Sequence, residues 1–158
     1  MIKICLQAGH WNAKNNCDPL LAKGTGAPGE AEFTVRIMTR LSQILIDRGF
    51  QLYLKDACFN CDQNVGKEDY NLFLAIHYDA NVYGEGGGFV DFPEPSTDFS
   101  TAESQRICAA IESEYFANSG IVNKPNRRNA NTKYFYMWKF LSAKTPCVII
   151  ECGVGLDA

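Results

Sequence analysis

Residues 72–80 read LFLAIHYDA, a short apolar run with a histidine, His77, close to its end. The N-terminal stretch IKICLQAGH, residues 2–10, has the same form and ends at His10. Apolar runs of this length are typical of buried strands. The sequence contains two histidines in all, and each follows such a run. We therefore predict that both imidazoles lie at one rim of a sheet.

A carboxylate closes a third run of the same kind. Residues 146–151 read PCVIIE, and an acid after four apolar strand residues is costly to bury unless another group pairs with it. In open α/β sheets, binding sites gather beyond the carboxyl ends of the strands. The sequence therefore predicts that Glu151 joins His10 and His77 at that rim.

The predicted elements alternate between strand and helix along the chain. Strands are predicted at residues 2–8, 50–55, 72–78, 89–92 and 147–151. Helices are predicted at residues 30–48 and from Ser100 or Thr101 to about Asn118, whereas residues 133–141 are apolar but ambiguous. This order predicts an α/β fold in a single domain, with a twisted, mixed or mostly parallel sheet flanked by helices on both faces.

The first predicted helix offers two carboxylates, Glu30 and Glu32. Its apolar residues recur at helical spacing, and they predict a buried stripe formed by Phe33, Ile37, Leu41 and Ile44. Glu30 lies three residues before the first of these, so it is predicted to point toward the rim of the sheet. Glu32 is predicted to project to the other side, where it can pair with Arg36.

Two imidazoles and one carboxylate form a familiar ligand set for catalytic zinc, with a fourth position left open. Taken singly, each residue has a structural explanation. His10 could be a loop histidine, Glu30 could cap its helix, and His77 could be a half-buried residue at a strand end. Their joint occurrence favours a metal hydrolase.

Composition narrows the function further. The chain has 158 residues, of which 46% are hydrophobic, and its net charge is -3, which argues against a general nucleic-acid binder. No stretch is apolar enough to cross a bilayer, and the N-terminus makes a poor signal peptide. We expect synthesis in the cytoplasm and no membrane partner. The basic segment 124–128 is predicted to be a solvated loop, or alternatively a contact for anionic groups of a substrate.

Seven cysteines are an odd number for a disulfide framework. Four of them fall in predicted strands or helices and are predicted to be small buried apolar residues: Cys5, Cys108, Cys147 and Cys152. Cys58 and Cys61 have the spacing of a redox or zinc pair, but a structural zinc site needs four ligands. We therefore predict a free pair in a loop.

Four segments together resemble the zinc-dependent N-acetylmuramoyl-L-alanine amidases, the catalytic domains of bacterial autolysins and many phage endolysins. The segments are AGHW with His10, GAPGEAEF with Glu30, LFLAIHYDA with His77 and PCVIIECG with Glu151. The resemblance runs from about residue 2 to the end of the chain. It differs in detail at Asp79, where relatives often carry asparagine; we predict that this carboxylate supports the site without binding the metal.

The resemblance implies a Zn2+ cofactor held by His10, Glu30 and His77, with Glu151 as the catalytic acid and base. The implied substrate is peptidoglycan, cleaved between the lactyl group of N-acetylmuramic acid and L-alanine. Residues 1–158 are then expected to form one catalytic domain that lacks the terminal helix of relatives and any wall-binding domain. Such a protein is expected to act on the cell wall after release, as an endolysin does.

Three rival interpretations stay open at this level. Another zinc hydrolase acting on wall peptides would use the same water chemistry. A non-catalytic wall-binding domain could keep the fold, although it would be free to lose one of the four site residues. A redox protein using Cys58 and Cys61 is disfavoured because that pair does not open a helix after a strand.

Overall fold

A computed structural model describes residues 1–11, 26–55, 68–79, 84–93 and 101–154. The prediction of a free pair at Cys58 and Cys61 lies outside these ranges. Five strands lie close to where the sequence predicts them: β1 (Lys3–Ala8), β2 (Gln51–Lys55), β3 (Leu72–Asp79), β4 (Phe89–Asp91) and β5 (Cys147–Val154). They form one sheet in the order β2-β1-β3-β5-β4.

The sheet is mixed and mostly parallel, as predicted. β1 pairs in parallel with β2 and β3, and β3 pairs in parallel with β5. Only the edge strand β4 runs antiparallel, against β5, among the described strands. The carboxyl ends of β1, β3 and β5 therefore meet at one edge of the sheet, which is the arrangement that the three sequence runs required.

Helical segments cover both faces of the sheet, but unequally. The two long helices, α1 (Glu30–Asp47) and α2 (Thr101–Ser119), pack on the same face against a core that includes Leu6, Ile76 and Ile150. The other face is covered by a short helix, α3 (Ala130–Lys133), and a 3₁₀ turn at Tyr136–Phe140. The ambiguous segment 133–141 is therefore a covering layer, and it buries Met137 and Trp138.

The prediction of which α1 residues are buried is wrong by about one position along the helix. The fully buried positions are Glu30, Thr34, Met38 and Ser42, whereas Ile44 is 37% exposed. Phe33, Ile37 and Leu41 are half-buried beside the core. The reason is that two hydroxyls are satisfied by the backbone: Thr34 Oγ1 donates to the Gly9 carbonyl at 2.8 Å, and Ser42 Oγ donates to the Met38 carbonyl at 2.6 Å. Glu30 still lies on the buried face and Glu32 is exposed, as predicted.

Pro125 and Asn126 of the basic segment 124–128 are exposed, but the three cations of the segment are paired within the protein. Arg127 is buried and donates to the carbonyls of Glu85, Gly86 and Gly87. Arg128 pairs with Glu112 at 2.6 Å, and Lys124 pairs with Glu85 at 3.0 Å. Arg127 and Lys124 fix the glycine-rich loop 84–88 to the body of the protein, whereas Arg128 binds the helix α2. Among the described residues, none of the helices has the length and apolar character that crossing a bilayer requires.

Candidate metal centre

His10 is held in a tight turn immediately after β1. The Gly9 N–H donates to the Ile76 carbonyl at 2.7 Å, and the Trp11 N–H lies 3.4 Å from the Ala8 carbonyl. His10 itself has a φ of 57°, a left-handed conformation that costs a non-glycine residue about 1–2 kcal/mol. Backbone strain of this kind is concentrated at functional sites, where the surrounding structure holds it in place.

Glu30 is the first residue of α1, and its carboxylate is almost fully buried, with 3% of the residue exposed. The Tyr78 N–H donates to Oε1 at 3.1 Å, and the Ala27 N–H donates to Oε2 at 2.8 Å. Glu30 thus bridges the helix to the end of β3. The position at the N-terminus of a helix also favours a negative charge.

The two imidazoles converge on this carboxylate. His77 Nδ1 lies 3.1 Å from Glu30 Oε1, and His10 Nε2 lies 3.6 Å from Glu30 Oε2. One ligand atom from each of the three residues can be chosen so that all lie within 4.8 Å of one another. Zinc bonds of 2.0–2.1 Å in a tetrahedron place neighbouring ligand atoms about 3.3 Å apart. The set is therefore close to the size that zinc requires.

Two glycines leave room for these side chains. A Cβ added at Gly9 would lie 2.7 Å from His77 Nδ1. A Cβ added at Gly26 would lie 2.7 Å from Glu30 Oε2 and from His10 Cγ, and Gly26 also has a φ of +89°. The centre is thus enclosed by backbone at positions that accept no other residue without displacing a candidate ligand. This role was not predicted from the sequence, although Gly9 lies within the quoted segment AGHW and Gly26 begins the segment GAPGEAEF.

The protonation states suit metal binding. Burial lowers the pKa of His10, and the positive charge of His77 adds to this, against the opposing effect of Glu30. For Glu30, burial favours the neutral form, but the hydrogen bond and charge of His77, the charge of His10 and the Ala27 N–H together lower its pKa. A neutral His10 and an ionised Glu30 at neutral pH are the forms that bind a cation.

Glu151 lies beside the three candidate ligands without joining them. It is the register partner of His77 on the neighbouring strand, and 8% of it is exposed. Burial, and then the charges of Glu30 and Asp79, raise its pKa well above the ordinary value. Among the described residues, Glu151 Oε2 and His77 Nε2 are buried without a hydrogen-bond partner. Buried polar atoms without a partner are rare in folded proteins and call for a specific explanation, such as a catalytic role.

The four predicted site residues line one cleft of about 200 Å³. Asp79 and Gly26 lie in the same lining, whereas loop 84–88 is bound by Arg127. Another part of the lining comes from the α3 segment, with Asn129, Asn131 and Thr132. The sequence analysis missed this part. The feature of the sequence that indicates this segment is the pair Asn129 and Thr132, which form a capping box at the start of a helix of only four residues.

Comparison with known proteins assigns the chain to a family. Residues 4–155 match the sequence profile of a family described as N-acetylmuramoyl-L-alanine amidase. No curated protein sequence matches the chain.

Solved structures of amidases share the fold at low sequence identity. The amidase Ami1 from Mycobacterium smegmatis superposes with a TM-score of 0.71 at 17% identity, covering 99% of this chain and 85% of Ami1. The CwlD amidase from Clostridioides difficile, solved with the GerS lipoprotein, has a TM-score of 0.65 at 20% identity, covering 98% and 83%. The catalytic domain of the CD27L endolysin targeting Clostridia difficile has a TM-score of 0.65 at 17% identity, covering 99% and 86%.

The family match spans nearly the whole chain, and the fold around the cleft agrees with it. The chain belongs to the N-acetylmuramoyl-L-alanine amidase family.

Proposed function

We propose that this amidase uses a zinc ion to hydrolyse the amide between N-acetylmuramic acid and L-alanine in peptidoglycan. The observation that carries the proposal is the convergence of His10, Glu30 and His77 within 4.8 Å beside the buried carboxyl of Glu151. Family membership supports the choice of bond. The ligand types, two imidazoles and one carboxylate, support the choice of zinc over the harder cations Mg²⁺ and Ca²⁺.

His10, Glu30 and His77 hold the ion in this proposal, with the orientation of Glu30 fixed by the N–H groups of Ala27 and Tyr78. When bound, zinc supplies a Lewis acid for the scissile carbonyl and lowers the pKa of water to about 7. The three residues are held by different elements: a turn, a helix N-terminus and a strand end. The ligand geometry is therefore fixed by the fold before the substrate arrives.

Glu151 moves the proton. Its carboxylate accepts a proton from the attacking water and returns it to the departing alanine nitrogen, as general base and then general acid. The apolar surroundings and the neighbouring carboxylates raise its pKa, and the charge of a bound cation acts in the opposite direction.

Isotope labelling tests which bond is cleaved. A soluble muramyl pentapeptide is hydrolysed by the zinc-loaded protein in ¹⁸O-enriched water, and the products are separated and weighed by mass spectrometry. The proposal predicts that the label enters the lactyl carboxylate of the muramyl product and that the peptide carries a new alanine amine without label. Label in a peptide carboxylate would instead assign a peptidase. Absence of any cleavage, from protein that binds zinc, would assign a binding domain.

A further inference from the structure

One wall of the cleft consists of α3 and its cap, and most polar groups of this wall are already bonded within the protein. The Asn129 carboxamide accepts from the Asn131 N–H at 2.8 Å and donates to the Arg127 carbonyl at 3.0 Å. The Thr132 hydroxyl donates to Asp91 Oδ2 at 2.6 Å. These bonds build the wall and leave little of Asn129 or Thr132 for a ligand.

Asn131 is the exception on this wall. Asn131 lines the cleft and is exposed. Within the described part of the chain its carboxamide makes no hydrogen bond, and only its backbone N–H is used, toward Asn129. A carboxamide that faces a site while its neighbours are all engaged is available to bond what enters the site.

The charged groups on the lining define what Asn131 must supply. The lining includes the carboxyl groups of Glu30, Asp79 and Glu151, and a carboxyl group only accepts hydrogen bonds when it is ionised. A muramyl peptide brings carbonyl oxygens on both sides of the scissile bond, and carbonyls need donors. We propose that the Asn131 amide nitrogen donates a hydrogen bond to a substrate carbonyl and so positions the peptide in the cleft. This inference rests on the proposed function.

The wall that carries Asn131 is tied to the core of the protein by hydrogen bonds. Trp138 Nε1 donates to the Thr132 carbonyl at 3.2 Å, and both residues are buried. Asp91, which accepts from Thr132, also accepts from the Phe92 N–H at 2.9 Å and is itself buried. The backbone that carries the donor is therefore in place before binding, and only the side-chain rotamer of Asn131 has to be fixed when the substrate arrives.

Steady-state kinetics on a soluble muramyl pentapeptide test the proposal, using the zinc-loaded full chain. Asn131→Ala removes one neutral hydrogen bond to the bound substrate, so we expect KM to rise about three- to tenfold while kcat stays within about twofold. Asn131→Asp keeps the shape but replaces the donor by an acceptor and adds a negative charge. It is expected to impair KM at least as much as Asn131→Ala does.

Asn126→Ala is the matched control, because Asn126 is also exposed but lies in a turn that does not line the cleft. It should leave both constants unchanged, and all variants should keep the zinc content and melting temperature of the parent. The proposal is overturned if Asn131→Ala leaves KM unchanged, or if it lowers zinc content, because the residue would then act on the fold or the metal. A parent protein that cleaves nothing overturns the proposed function itself, and the role of Asn131 with it.

Discussion

His77 and Glu151 are register partners on the parallel strands β3 and β5, and alternation along both strands places their side chains on the same face of the sheet. The residues two positions earlier, Ala75 and Ile149, are both buried in the core of that face. The ring of Phe135, which packs on this face of the sheet, contacts the His77 ring edge-on, with 5.3 Å between the two ring centroids. One candidate metal ligand and the candidate proton carrier are therefore fixed relative to each other by backbone pairing.

This pairing allows the roles of metal binding and proton transfer to be separated by mutation. Glu151→Gln preserves the shape of the side chain but cannot accept a proton, so we expect zinc binding to persist while kcat falls about 10²- to 10⁴-fold. Elemental analysis measures whether zinc is retained, and steady-state kinetics on a muramyl pentapeptide measure the fall in kcat. Glu114→Gln, at an exposed position of α2, is the control and should change neither. Retention of turnover by Glu151→Gln would place the base elsewhere.

Helix α1 carries both a candidate metal ligand, Glu30, and a control carboxylate, Glu32. Glu30 is buried between the two imidazoles, whereas Glu32 is exposed. We expect Glu30→Gln to weaken zinc binding by more than about 100-fold, because even groups that only support a ligand contribute about 10- to 100-fold. His77→Ala should lose both zinc and activity. Glu32→Gln should lose neither, as measured by competition with a zinc-binding dye.

Loss of zinc from Glu32→Gln, with retention by Glu30→Gln, would contradict the assignment of helix faces. Circular dichroism of each variant distinguishes loss of the metal from loss of the fold. This check is needed because the side-chain NH₂ group of Gln at position 30 would face one of the two backbone N–H donors that bind the Glu30 carboxylate.

Gly26 tests whether the backbone around the centre sets the ligand geometry. Gly26→Ala introduces a Cβ at 2.7 Å from Glu30 Oε2 in a residue with a φ of +89°. Gly120→Ala faces a similar φ of +74° but meets nothing within 4 Å. Both substitutions should lower stability by about 1–2 kcal/mol through backbone strain. Only Gly26→Ala should also weaken zinc binding, measured by isothermal titration, and equal zinc affinities in the two variants would remove the proposed steric role.

The raised pKa of Glu151 predicts a pH-dependent penalty in the metal-free protein. The folded state holds this proton more tightly than the unfolded state, whose pKa is near the ordinary 4.5, so stability falls as pH rises from there through the raised pKa. Glu151→Gln removes the penalty. Melting of the metal-free proteins should show the variant several degrees more stable at about pH 8 and equal to the parent at about pH 4. A variant less stable than its parent at the higher pH would show that the carboxylate is stabilised by partners.

The positions of the site residues could be predicted because they follow from local pattern. β1, β3 and β5 are nearly continuous apolar runs, and a parallel sheet brings their ends to one edge whatever the connecting segments do. The first polar residue after such a run therefore lies at the rim. The same reasoning located Glu30, because it begins the helix that follows the first strand.

The rest of the cleft depends on contacts that no local pattern records. Thr34 and Ser42 have polar side chains but are buried, because their hydroxyls donate to backbone carbonyls. The wall carrying Asn131 is held by Asp91, which is 41 positions from Thr132 in sequence. Arg127 likewise bonds carbonyls 40 to 42 positions away. Such long-range hydrogen bonds appear only once the chain is folded.

The most direct measurement is a digest of purified peptidoglycan by the zinc-loaded protein, with new alanine amino termini counted against new reducing ends, in parallel with a chelator-treated sample. The account predicts alanine termini that disappear with the chelator and return when zinc is restored, without reducing ends in any sample. Alanine termini that persist after complete removal of zinc, or termini at other peptide bonds, would contradict the central claim that His10, Glu30 and His77 hold the metal for amide hydrolysis.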